Sequence, residues 1–321
     1  MPTRHNMPPD SYDTSALIVV SQCTILRFER WGRPSSTAAA RSWPTSRTGR
    51  RRITVAGDTK APSRIDPSVA TAARMYDYFL GGHDNFAADR IAALKVIDAV
   101  PEVRMIAREN RKFLGRAVRF LADQAGIEQF LDLGTGLPTR GNVHQVAQQV
   151  NRSASVIYVD NDPMVLAHSK ALKTGAGAAV IRADMRNPDA ILDHPDTRRL
   201  IDFNQPLAIL FVAVLHFIPD TDQPHAIVGR FLDAAAPGSY LVLSHVTTDP
   251  SPQTAAKVKS VYASTTNQAA PRPRTDILAF FDGLDLIEPG LLPVAQWRPG
   301  EPIQDDPAKG WILGALARKR G

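Results

Sequence analysis

Three acids close three successive apolar runs in the middle of the chain: Asp132 in FLDLGTG, Asp160 in VIYVD and Asp184 in RADMRNP. Gly134 and Gly136 follow the first acid, in a turn where bare backbone can approach a ligand. Asp160 lies 24 residues beyond Gly136, where a carboxylate can accept both hydroxyls of a ribose. At Asp184 a carboxylate can take an adenine amino group while a neighbouring backbone N–H, that of Met185, meets a ring nitrogen. Each acid alone would serve as a helix N-cap. As a set at three strand ends they point to a bound adenosine.

The elements that must position them are legible from periodicity. Strands are expected in IEQFLDL, SASVIYVD, GAAVIRAD, PLAILFVAV and SYLVLSHV, with helices over 142–150, 164–174, 189–199 and 223–235. Near-continuous apolar strands alternating with helices predict an α/β fold, a doubly wound parallel sheet covered on both faces. LDLIEP and GWILGALARK, joined by a Pro/Gly-rich connection, read as a final antiparallel pair. Three helices precede the sheet. The first should open at Asp66-Pro67, an N-cap with proline at N1, and stop at Gly81-Gly82. The others should cover 87–99 and 101–125. The division expected is a basic tail over 1–62, a helical cap over 63–126 and a cofactor-binding core over 127–321.

Charge separates the tail from the rest. Residues 1–60 hold ten Lys/Arg against four Asp/Glu, leaving 28 of each sign in residues 61–321. A domain that binds nucleic acid would carry its own basic surface, so nucleic acid is an unlikely partner. The tail, rich in Arg, Ser, Thr, Pro and Gly, has the composition of a disordered segment. The longest apolar run, LAILFVAVLHFI, falls short of the roughly 18 residues that span a bilayer. No signal peptide is evident and Cys23 is the only cysteine, which removes internal disulfides and cysteine metal clusters. These features describe a cytoplasmic protein with no membrane or metal requirement.

A dinucleotide would need a third glycine where Thr139 stands, a clear helix N-terminus for the pyrophosphate and a second nucleotide-binding half. Adenosine without pyrophosphate, in a sheet with an antiparallel end, points instead to S-adenosyl-L-methionine. FLDLGTGLPTRGNVHQVA, VIYVDNDPMVLAHS, RADMRNP, AVLHFIPD, PGSYLVLSH and GWILGALARK together resemble the class I S-adenosylmethionine-dependent methyltransferases. IDPSVATAARMYDYFLGGHDNFAADR is similar to the N-terminal signature of an uncharacterised bacterial family of these enzymes. The resemblance implies a Rossmann-like seven-stranded sheet with its last strand antiparallel, and a cofactor held at Gly134, Gly136, Asp160 and Asp184. It implies no acceptor.

Methyl transfer is an in-line displacement that needs alignment and exclusion of water more than a nucleophile motif. AVLHFIPD, after the fourth strand, offers His216 as a base or orienting group, or as a cap of the next turn through Asp220. Tyr78 and His83 are further catalytic candidates around the Gly-Gly turn. Arg74, sharing a helix face with Tyr78, is a candidate partner for the cofactor's carboxylate. Asn110 and Arg111 either line the same cleft or form a solvated face. The expectation is a methyltransferase acting on a small molecule. An NAD(P)-dependent oxidoreductase and a non-catalytic cofactor-binding module are the alternatives.

Overall fold

Strong β-formers without interruption place five runs at the centre of one sheet. The computed structural model describes residues 65–139, 141–169, 177–301, 305–306 and 308–321; the expected tail, 1–62, lies outside them. In chain order the elements are α1 (Ala72–Leu80), α2 (Ala87–Ala99), α3 (Val103–Asp123), β1 (Gln129–Leu133), α4 (Val143–Val150), β2 (Ser155–Asp160), α5 (Pro163–Ser169) and β3 (Ala178–Arg182). There follow α6 (Pro188–Leu192), α7 (Pro195–Leu200), β4 (Ala208–Val212), α8 (Pro224–Ala234), β5 (Tyr240–Val246), α9 (Pro252–Tyr262), α10 (Arg274–Leu278), β6 (Leu284–Leu286), β7 (Leu292–Pro293) and β8 (Ile312–Lys319).

The sheet runs β3-β2-β1-β4-β5-β8-β6, with β7 also paired to β8. The first five strands are parallel, and β8 is antiparallel to β5, β6 and β7. The strand order reverses direction between β1 and β4, so the crevice beyond their carboxyl ends is the place for a ligand. Both faces are buried. On one, Phe113, Leu114, Ala117, Val118 and Leu121 of α3 pack with Phe130, Val156 and Val242. On the other, Ile191, Ile227, Val228 and Phe231 pack with Leu131, Ile157 and Phe211. Met75, Phe79, Ala93 and Val96 of α1 and α2 form a third cluster with Tyr262 of α9. By packing, α3 therefore belongs to the sheet, whereas α1 lies against α2 and α3, and α2 leans on α9.

Three boundaries differ from expectation. The Asp66 carboxylate accepts from the Ser68 N–H at 2.8 Å and the Ser68 hydroxyl at 2.6 Å. That local turn leaves Thr71 to cap α1 five residues later. The helix expected over 189–199 is two, α6 and α7, because Pro195 opens a fresh helix with His194 as its cap. The helix expected over 164–174 starts at Pro163, and its second half lies outside the described residues. Gly81 ends α1 in the left-handed conformation at φ 87°, as a terminal glycine should.

Candidate active site

A cleft of about 630 Å³ opens beyond the carboxyl ends of β1 to β4. Its floor is the turn after β1. Gly134, at φ 74°, donates its N–H to the Val159 carbonyl at 2.8 Å. A Cβ there would stand 2.2 Å from Val214 Cγ2, so the turn admits no side chain. Gly136, at φ 67°, has nothing within 4 Å of the place a Cβ would take, leaving its backbone bare to the cleft.

Asp160 ends β2 and faces this turn. Its Oδ2 accepts the Gly136 N–H at 2.8 Å and its Oδ1 the Asp162 N–H at 2.9 Å. Asp132 is buried and accepts from the Thr135 hydroxyl at 3.0 Å. Burial pushes the carboxyls of Asp132 and Asp160 up to about 6 each, and the hydrogen bonds they accept only partly offset it. Asp184 and Met185 line the same cleft. Burial raises Asp184, but hydrogen bonds from Arg186 outweigh it and hold the carboxyl below its ordinary value. Arg186 Nε lies 3.0 and 3.1 Å from the two oxygens. The cleft thus brings Asp132, Gly134, Gly136, Asp160, Asp184 and Met185 together.

Four candidates stand elsewhere. Arg74 is 2% exposed and committed within the helices: Nε donates to Asp89 Oδ1 at 3.0 Å and Nη2 to the Asp66 and Val69 carbonyls. The ring of Phe86 covers its guanidinium at 5.1 Å. It serves the packing of α1 on α2 and does not line the cleft. Tyr78 faces Arg104, whose guanidinium sits 5.2 Å from the ring centre, and His83 is exposed on the loop beyond; neither lines the cleft. His216 is buried in the turn Leu215–Phe217, where its Nδ1 accepts the Val246 N–H at 3.4 Å. Burial, with the Arg272 charge nearby, lowers its pKa to about 3. An imidazole held neutral this firmly is a weak base. It does not cap through Asp220, whose carboxylate pairs with Arg272 at 2.6 Å. His216 instead borders a second, apolar pocket of about 80 Å³, which meets the main cleft at Phe217.

Other residues complete the walls. Thr71, at the start of α1, donates its hydroxyl to Asp162 Oδ2 at 2.7 Å, fastening the helix over the cleft. Asn110 Nδ2 donates to the Tyr76 hydroxyl at 3.0 Å, and Ser244 donates its hydroxyl to Asn110 Oδ1 at 2.6 Å. The Ser244 oxygen also receives the Ala213 N–H at 2.9 Å, holding Ala213 left-handed at φ 56°. Arg111 lines the cleft beside Asn110, with Nη2 buried and without a hydrogen-bond partner. Of these, Asn110 and Arg111 carried a signal in the sequence, as polar residues of ENRKFL, and so did Tyr76, as an aromatic that the first helix's buried stripe would explain equally well. Thr71 and Asp162 had none.

A family model described as S-adenosyl methyltransferase matches residues 58–320. The chain belongs to this family. S-adenosyl-L-methionine is accordingly its cofactor and methyl transfer its reaction, and the oxidoreductase alternative is not favoured. Among solved structures, a proposed methyltransferase from Thermobifida fusca YX is 42% identical, with TM-score 0.76, and the match covers 82% of this chain and 100% of that one. A DUF574 family protein from Streptomyces avermitilis MA-4680 is 39% identical, with TM-score 0.76, covering 80% of this chain and 100% of that one. Comparison with curated proteins gives no match. The residues present fit the cofactor: a bare-backbone turn, carboxylates at successive strand ends and an unpartnered guanidinium converge on one cleft. Among the described residues no cluster of His, Cys, Asp or Glu suited to a metal occurs, and no helix is long and apolar enough to cross a membrane.

Proposed function

We propose that the cleft binds S-adenosyl-L-methionine across the ends of β1 to β3 and presents its methyl group to a small-molecule acceptor. The observation that carries this reading is Asp160, a strand-end carboxylate bound to the glycine turn and open to the cleft. Its oxygens can accept the ribose hydroxyls while Gly134 and Gly136 keep side chains out of the way. Met185 and Asp184 border the place for adenine, and Asp132 the amino-acid end.

When bound, the cofactor supplies an electrophilic methyl on a sulfonium. The protein's share is to hold the acceptor in line and keep water out. Phe217, Leu114 and Val214 give the cleft apolar wall, and Tyr76 and Asn110 give it fixed polar groups. Asn110 is 2% exposed and held from both sides, so its orientation is set before any ligand arrives. An acceptor whose lone pair is already available needs no base. The formally neutral balance of residues 61–321 and the bounded volume of the cleft favour a metabolite-sized acceptor over a nucleic acid. A screen of metabolite extracts with methyl-labelled cofactor tests the reading. Label should enter a small molecule, and label confined to protein or nucleic acid would overturn the acceptor class.

A further inference from the structure

We propose that the small apolar pocket beside the cleft is a specificity subsite for the methyl acceptor, and that the acceptor carries a compact branched aliphatic group next to a hydrogen-bonding oxygen. The inference rests on the cleft being the S-adenosylmethionine site, as above, and gives its acceptor a chemical class.

The pocket measures about 80 Å³, and Val96 and Val100 of α2, Ile106 of α3, Val258 of α9 and Trp311 give it an apolar wall. Protein interiors are close-packed, and a void of this size left by packing alone is destabilising. Position ties the pocket to the reaction. Phe217 lines both the pocket and the cleft, with its ring centre 4.5 Å from that of His216 and 5.1 Å from that of Tyr262. An acceptor whose reacting atom sits in the cleft beside Tyr76 and Asn110 therefore reaches the pocket by passing Phe217. Two polar groups distinguish the pocket from a packing void. Tyr262 is 7% exposed, and among the described residues its hydroxyl has no hydrogen-bond partner, so burial alone acts on the phenol and raises its pKa. His216 Nδ1 accepts the Val246 N–H, which leaves the ring proton on Nε2, again with no acceptor among the described residues. Buried donors are normally matched. Two unmet donors on one small pocket call for an oxygen on the occupant.

Size and polarity narrow the class further. An apolar cavity of roughly 150 Å³ takes benzene, so a pocket of about 80 Å³ takes a branched group of about three or four carbons rather than a ring. A phosphate, a zwitterion or a sugar would strand polar groups against the valines and the tryptophan. The acceptor is therefore amphipathic, with its reacting atom on the polar side of Phe217 and its aliphatic end on the other.

Ligand-observed nuclear magnetic resonance on the full chain, saturated with S-adenosylhomocysteine, tests this with acetone, butanone and 4-methylpentan-2-one as probes. Affinity should rise about fourfold for each carbon added and buried. Tyr262→Phe should weaken all three ketones by about three- to tenfold, the loss of one hydrogen bond, and keep the dependence on carbon number. Ala255→Leu and Ala269→Leu, which fill the pocket from α9 and from the segment beyond it, should abolish that dependence and leave S-adenosylhomocysteine affinity within about twofold. In the labelled-extract assay 4-methylpentan-2-one should suppress transfer and glycerol should not. A wild-type protein indifferent to carbon number would overturn the proposal whether or not the filled variants fold. So would a dependence retained in both filled variants, ketone affinity unchanged in Tyr262→Phe, or label transfer untouched by the ketone. Failure of the wild-type protein to bind S-adenosylhomocysteine, or to label any small molecule, would instead overturn the reading of the cleft itself.

Discussion

The carboxylate of Asp160 accepts the backbone N–H of Gly136 at 2.8 Å, so the end of β2 fixes the shape of the turn that follows β1. One residue thus holds the turn and offers lone pairs to a ribose. Asp160→Ala should weaken S-adenosylhomocysteine binding by about ten- to hundredfold, the loss of a charged hydrogen-bonding partner, while the protein stays folded. Calorimetry paired with circular dichroism checks both halves. Wild-type affinity in this variant would remove Asp160 from the site.

Asp132 gives a pH signature. Its carboxyl sits at about 6 against an ordinary 3.8, so the folded state holds the proton more tightly than the unfolded chain. The ionised form therefore opposes folding above pH 6, and the penalty fades as pH falls toward 4. Asp132→Asn should raise the melting temperature of the ligand-free protein at pH 7.5, by an amount reflecting about 1–3 kcal/mol, with the gain shrinking at pH 4.5. Thermal scans at the two pH values decide it. A gain that is equal at both would assign the effect to something other than titration.

Ligand affinity should move the other way with pH. Asp160 also titrates near 6, and its protonated form loses acceptor capacity. Binding of S-adenosylhomocysteine should weaken as pH drops from 7.5 to 5, and this slope should flatten in Asp160→Asn.

Arg74 belongs to the scaffold. Its ion pair with Asp89 is buried on both sides, at 2% and 0% exposure. Removing one partner leaves the other charge stranded, at a cost of about 3–5 kcal/mol. Arg74→Met should lower the melting temperature steeply. Whatever folds should keep its S-adenosylhomocysteine affinity, and Arg74→Met with Asp89→Leu should recover much of the lost stability. A selective loss of affinity with stability intact would return Arg74 to the cofactor.

His216 is predicted to be silent between pH 5 and 8, because burial holds it neutral down to about pH 3. Its ring proton resonances should not shift across that range in a titration followed by nuclear magnetic resonance. A midpoint near 6.5 would restore it as a candidate base.

The strand-end acids were legible because each terminates an apolar run, and the parallel register sets strand ends side by side without further information. The same logic placed Gly134 and Gly136. The helix α1 was harder. Arg74 and Tyr78 share a helix face that is compatible with the cleft until its packing partners are known, and those are Asp89 of α2 for Arg74 and Arg104 of α3 for Tyr78. Asp66-Pro67 has the chemistry of a cap, but Ser68 offered its carboxylate a closer partner. His216 looked reactive in AVLHFIPD because nothing local reveals that the fold buries it, or that Arg272, more than 50 residues away, takes Asp220 from it and adds a positive charge nearby.

The Ser244 hydroxyl, joined to Asn110 on one side and to the Ala213 backbone on the other, spans α3, β4 and β5 at a single atom. That stitch has a mechanical meaning. Sliding α3 along the sheet would break the bond to Asn110 and unseat the Tyr76 hydroxyl, so this wall is stiff; the Ala213 N–H stays held by Ser244, whose carbonyl it also reaches at 3.1 Å. The stitch also reaches α1 through Tyr76, and α1 is held further by the Thr71–Asp162 contact, by Asn267 and by the buried Arg74–Asp89 pair. Opening the cleft on that side means breaking this network as a unit, so amide exchange at Ala213 should be slow.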